Sequence, residues 1–186
     1  MSDAPRDATS GDVVERDYAV CAMGEDRPGI VARVTSALLA VDASIDDSSM
    51  TILGGQFAML LHVRGRCRFE ALEASLGAAA SELSLALHVR EAPPHHAAPD
   101  LPIWVIAAYG PDRTGLVASL AAALAQLEVN ITDFGSRRSD GGLFAMWFNV
   151  ELPVTLDPDQ VARHLESAAA ELDLTLSIHP LEAEAL

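Results

Sequence analysis

The chain contains no lysine: its twelve cationic side chains are all arginines, set against twenty-seven acids, for a formal net charge of −15 over 186 residues. That absence excludes a Schiff-base lysine, a phosphate-binding P-loop lysine and a kinase-type lysine. It also speaks against a nucleic-acid partner, because affinity for a phosphate backbone comes from cationic charge. Cysteine is scarce as well. Only Cys21 and Cys67 occur, without C-x-x-C spacing, so no zinc site, redox pair or disulfide scaffold is expected. Cys21 lies in an apolar run and reads as a buried small hydrophobe. Cys67 stands between Arg66 and Arg68, where neighbouring cations lower a thiol pKa. No apolar run approaches the roughly 18 residues that span a bilayer. The opening "MSDAPRDATSGDVVERD" is polar and acidic, unlike a signal segment; residues 1–17 are expected to be a disordered leader on a cytoplasmic protein.

What the chain does have is apolar content, 50% of its residues, enough for one core or two small ones. It also has an internal repeat. "GEDRPGI" at 24–30 returns as "GPDRTGL" at 110–116. Residues 24–53 match 110–139 at ten positions, and "GGQFAMLLHV" (54–63) matches "GGLFAMWFNV" (141–150) at six of ten. Sixteen identities in forty aligned positions mark a duplication.

Each copy carries the same order of patterns. An apolar strand, "YAVCAM" (18–23) or "IWVIAAY" (103–109), leads into the repeated turn. An amphipathic helix follows, with Ile30, Val31, Val34, Ala37, Leu38 and Val41 on one face, and Leu116, Val117, Leu120, Ala123, Leu124 and Leu127 in the second copy. Two strands then flank a Gly-Gly turn, a hairpin signal. A second helix carries Phe69, Leu72, Leu76, Ala79 and Leu83, or Val161, Leu165, Ala168 and Leu172. Asp157-Pro158 reads as its cap and first-turn proline in the second copy. A last strand, 84–90 or 173–179, closes each unit. The order βαββαβ predicts an α+β fold of two ferredoxin-like units, each an antiparallel four-stranded sheet with two helices on one face. The units are expected at 18–90 and 103–180, with a tail at 181–186. Between them "EAPPHHAAPDLP" (91–102) holds four prolines and is expected to be a stiff linker. His95 and His96 belong to that linker rather than to a metal site.

The repeated turn places a helix start near Pro28, with Gly29 in its first turn. Free backbone N–H groups there can receive a carboxylate, aided by the helix dipole, and Asp26 can receive an ammonium group. That pair is a minimal recognition set for a free α-amino acid. The same residues also fit a purely structural reading, in which Asp26 caps the helix and Gly29 lets it pack closely on the sheet. Arg27 and Arg113 can clamp a carboxylate or bridge to nearby acids, and the structural bridge is favoured.

The strand, the D-R-P-G-I-V turn with its amphipathic helix, and the N-I-x-D strand that follows together resemble the ACT domain, a small regulatory module. The paired arrangement is most similar to the glycine cleavage system transcriptional repressor group. The resemblance covers about 18–90 and 103–179. It implies ligand sites where two modules meet, each made by the first strand–helix loop of one and the start of strand 2 of its partner. Here those loops are Glu25, Asp26, Arg27, Pro28, Gly29 and Ile30, and Pro111, Asp112, Arg113, Thr114, Gly115 and Leu116. The strand starts are Ser44-Ile45 and Asn130-Ile131. Asn130 fits the family pattern; Ser44 departs from it and reaches less far, so the two sites are expected to be unequal. The resemblance further implies a small amino-acid ligand, glycine or serine first, a protein partner and self-association, with no cofactor or metal.

Other classes fit less well. The βαββαβ order also occurs in RNA-binding modules that stack bases on aromatics beside basic residues, but the first copy offers only Phe57 in the corresponding strand. An enzyme is not expected: His62, His88, His164 and His179 are scattered without a nucleophile partner or metal spacing. A pure interaction module with vestigial ligand loops remains the alternative.

Overall fold

The computed structural model describes residues 14–94, 101–139 and 141–181. The expectations for most of the leader, for His95 and His96 with the middle of the linker, for Asp140 and for nearly all of the tail lie outside the described residues. The chain forms two compact units, each built in the order β-α-β-β-α-β.

In the first unit β1 (Arg16–Glu25), α1 (Ile30–Leu39), β2 (Ala43–Leu53), β3 (Gln56–Gly65), α2 (Phe69–Leu83) and β4 (Ala86–Ala92) follow one another. The sheet order is β2-β3-β1-β4, with every pairing antiparallel. The second unit repeats this with β5 (Ile103–Pro111), α3 (Leu116–Gln126), β6 (Asn130–Arg138), β7 (Leu143–Glu151), α4 (Pro158–Glu171) and β8 (Thr175–Pro180). Its order is β6-β7-β5-β8, again all antiparallel. Both are the ferredoxin-like units that the repeat predicts.

Period-2 alternation decides which strand side chains enter the core. Tyr18, Val20 and Ala22 of β1 and Phe57, Met59, Leu61 and Val63 of β3 pack with Ile30, Val34, Leu38, Leu72 and Leu76 from the helices. Val31 is 43% exposed and so lies at the edge of the apolar helix face. Cys21 is exposed, not buried as its apolar surroundings suggest. It alternates with Val20 and Ala22 and therefore projects from the opposite, helix-free side of the sheet.

Two boundaries move for local reasons. β1 begins at Arg16, inside the segment read as a leader, since Arg16 and Asp17 still pair with Gly65 and Arg64 of β3, and the Asp17 carboxylate lies 3.3 Å from Arg64. The last strands start two residues late because Ser84 and Asp173 take positive φ of 55°. Leu85 N–H then donates to Ala80 O and Leu174 N–H to Ala169 O, closing each helix with a left-handed cap. Asp157 caps α4 as expected, accepting from Asp159 N–H at 3.0 Å with Pro158 at the first turn.

Candidate functional site

The repeated turn does not begin the helix at Pro28. Gly29 and Gly115 are the N-cap residues, with φ of 94° and 99° and ψ of −6° in both. Those angles belong to the third residue of a type II turn, which favours proline before it and glycine at that place. Pro28 therefore shapes the turn, and α1 starts at Ile30. A methyl group built on either glycine meets nothing within 4 Å. The glycine is required for its backbone angle, and the space in front of it is open.

Neither helix has a side-chain cap or an acid in its first turn, so Asp26 is not a helix cap. Its backbone N–H instead donates to Gly55 O at 2.9 Å, and that of Asp112 to Gly142 O at 3.1 Å. These bonds pin each loop to its β-hairpin. The first-turn N–H groups stay available at the positive end of the helix dipole. In the second unit the loop borders a depression of about 370 Å³ lined by Asp112, Arg113, Gly115, Leu116, Val117 and Phe144.

The charged side chains differ between the copies. Arg113 donates to Asp173 at 2.6 Å, the structural bridge favoured from the sequence. Arg138, which the sequence did not single out, lies 3.0 Å from the Asp112 carboxylate. Its counterpart in the first copy is Ile52. Among the described residues, the side chains of Asp26 and Arg27 carry no hydrogen bond or ion pair.

The strand-2 residues lie at the other end of each sheet. Glu25 pairs with Gln56, whereas Ser44 pairs with Arg64, itself opposite Asp17. Pro111 pairs with Leu143, whereas Asn130 pairs with Glu151, opposite Ile103. Eight strand steps separate the two ends, about 27 Å. Within one unit, then, the loops Asp26–Ile30 and Asp112–Leu116 are not brought together with Ser44-Ile45 or Asn130-Ile131. At their own end, Ser44 Oγ donates to Arg64 O at 3.2 Å and Asn130 Nδ2 donates to Glu151 Oε2 at 3.0 Å.

Two further groups of residues bear on the expectations from the sequence. His62, Asp17 and Asp46 offer ligand atoms within 4.8 Å of one another, although they are scattered in sequence. Arg64 already supplies cationic charge there, 3.3 Å from Asp17 and 2.6 Å from Asp46, so no metal is assigned. Burial pushes the Cys67 thiol pKa up, with Asp42 adding to the effect; the flanking arginines do not lower it. The exposed surface also includes an ion pair between helices, Arg33 to Glu82, made by two bonds of 2.6 and 2.9 Å.

Comparison with known proteins gives the family and the fold. The UPF0237 protein YjhC of Lactococcus lactis subsp. lactis is 35% identical over 72 residues, which is 38% of this chain and 83% of that protein. Among solved structures, an unknown protein from Galdieria sulphuraria is similar with a TM-score of 0.75 and 25% identity, over 91% of this chain and all of that one. A candidate glycine cleavage system transcriptional repressor superposes with a TM-score of 0.76 over 91% of this chain and 99% of its own, at 17% identity; that likeness concerns the fold alone. The ACT domain model matches residues 19–90 and again 103–179. The chain belongs to the ACT domain family, with two such domains in tandem.

Proposed function

We propose that the protein is an amino-acid-sensing regulator. ACT domains are regulatory amino-acid-binding modules, and the further step is where and how this chain would bind. The observation that carries the reading is the pair of loops at Gly29 and Gly115. Each sets an uncapped helix start, open to approach, next to an aspartate. A ligand carboxylate lies on the N–H groups around Gly29 or Gly115, and its ammonium near Asp26 or Asp112. Asn130, or Ser44 more weakly, reaches in from a neighbouring module, since its own loop is at the far end of the sheet.

Glycine and serine are the first candidates, and a transcriptional regulator of glycine or one-carbon metabolism is the setting that the repressor-like fold suggests. Regulation runs through a protein partner in the cytoplasm. With −15 net charge and no lysine, the chain itself is a poor ligand for duplex DNA, and no catalytic role is assigned. A ligand that touches two modules favours one arrangement of them and so alters partner affinity.

A scaffold reading has one observation in its favour: Arg138 already occupies the Asp112 carboxylate. Isothermal titration of the full chain against the twenty amino acids separates the two. Saturable heat with one or a few small amino acids supports the sensor. Silence across the whole set overturns it and leaves a self-associating module.

A further inference from the structure

The helix-free face of the first unit's sheet carries a second feature, independent of the loops. Register places Arg90 opposite Ala19, Ala19 opposite His62, and His62 opposite Asp47. Cross-strand partners project to the same side. Tyr18 and Val20 are buried in the core, so the row through Ala19 faces away from the helices. A β-bulge between Ile45 and Asp47 sets the register that puts Asp47 in this row. The row borders a depression of about 300 Å³, lined by Ala19, Asp47, Ser48, Ser49, His62 and Arg90, with Leu60 beside them. That is the lower end of ligand-sized cavities.

The charges in it are arranged by sign. Arg90 stands on the β4 side and, among the described residues, has no ion pair or hydrogen bond. Asp47 stands on the β2 side with Ser49, whose partner Leu60 is exposed on the same face. One Asp47 oxygen accepts the Ser48 N–H at 2.7 Å, and a carboxylate has lone pairs for further donors. The other nearby acids, Asp17 and Asp46, are both bridged by Arg64. The charges left to a ligand are therefore one cation at one wall and one carboxylate at the other, over a floor of Ala19 and the His62 imidazole.

The second unit keeps the carboxylate, as Asp133, but lacks the cation and the small floor. Its equivalent row reads His179, Val105, Asn149 and Asp133. Val105 fills the floor, and no arginine stands at the β8 edge. Trp147 replaces Leu60, lying so close over Gly135 that an added methyl there would overlap the indole. Two copies of one ancestral sheet have thus diverged, one to a bipolar hollow and the other to an aromatic surface.

We infer that the helix-free sheet face of the first unit is a binding site for a small zwitterion, its carboxylate on Arg90 and its ammonium on Asp47. Requiring both ends excludes simple acids and simple amines. The test uses 4-aminobutanoate, butanoate and butylamine as probes, titrated into the isotopically labelled full chain by NMR. The expected result is saturable shifts for 4-aminobutanoate at residues of all four strands around Arg90, Ala19, His62 and Asp47, not at 26–30 or 112–116. Butanoate and butylamine should bind at least about tenfold more weakly, as the loss of a charge-assisted bond predicts. Arg90→Gln, on the surface, and Ala19→Leu, which fills the floor, should each weaken binding about tenfold or more, while Val105→Leu in the second unit changes nothing. Shifts confined to the loops, equal binding of butanoate alone, or full binding by Arg90→Gln would overturn the inference. A loop-site failure with these shifts intact would count against the proposed sensor loops only.

Discussion

Arg138 and Asp112 form an ion pair of 3.0 Å across the mouth of the second loop, while the first copy has Ile52 at the arginine's position and leaves Asp26 without such a partner. The two repeated loops are thus electrostatically unequal, beyond the difference of Ser44 and Asn130. Under the proposed function, a ligand ammonium at the first would meet a carboxylate directly. At the second, it would have to displace the Arg138 guanidinium.

Arg138→Gln is therefore expected to strengthen amino-acid binding at the second loop several-fold, read by isothermal titration. Asp112→Ala should weaken it by about 1.5–3 kcal/mol, the worth of a hydrogen bond to a charged group. Weaker binding in Arg138→Gln would show that the arginine itself holds the ligand.

Gly29→Ala and Gly115→Ala should each destabilise their unit by about 1–2 kcal/mol, because an L-residue resists positive φ. No clash adds to this, since the space in front is empty. Denaturant midpoints measure the cost. A neutral result would mean that the turn relaxes to another form. This strain also makes the glycines poor positions for a binding-only variant.

The two thiols should differ in reactivity. Cys21 is exposed, whereas burial raises the Cys67 thiol pKa, leaving less thiolate to attack a reagent. Alkylation at pH 8 followed by mass spectrometry should label Cys21 first. Faster labelling of Cys67 would contradict its placement against the core.

The hydrogen bond from Arg33 lowers the Glu82 pKa. A carboxylate depressed in the folded state stabilises the protein above its unfolded pKa, and that contribution is lost as pH falls through the folded value. Urea midpoints of the wild type and Glu82→Gln should differ slightly at pH 7 and converge in acid. The exposed setting keeps the effect small, and a gap that widens in acid would refute it.

Much of this architecture was legible in the chain. The repeat, the order of elements and the Asp157-Pro158 helix start depend on spacing and local chemistry, which sequence preserves. The two Gly-centred turns were visible too, although their αL angle, and hence the start of α1 at Ile30, was not. What only the tertiary structure decided were relations between strands. Alternation alone could not say which side of β1 the helices would cover, so Cys21 was placed on the wrong face. Register brought Asp17, Asp46 and Arg64 together from 47 residues apart or less, set Arg138 on Asp112, and lined Arg90, Ala19, His62 and Asp47 across one sheet. It also put Asn130 at the far end from Asp112. Each of these contacts is made by side chains distant in sequence, and their geometry comes from antiparallel pairing and a bulge, which no local pattern specifies.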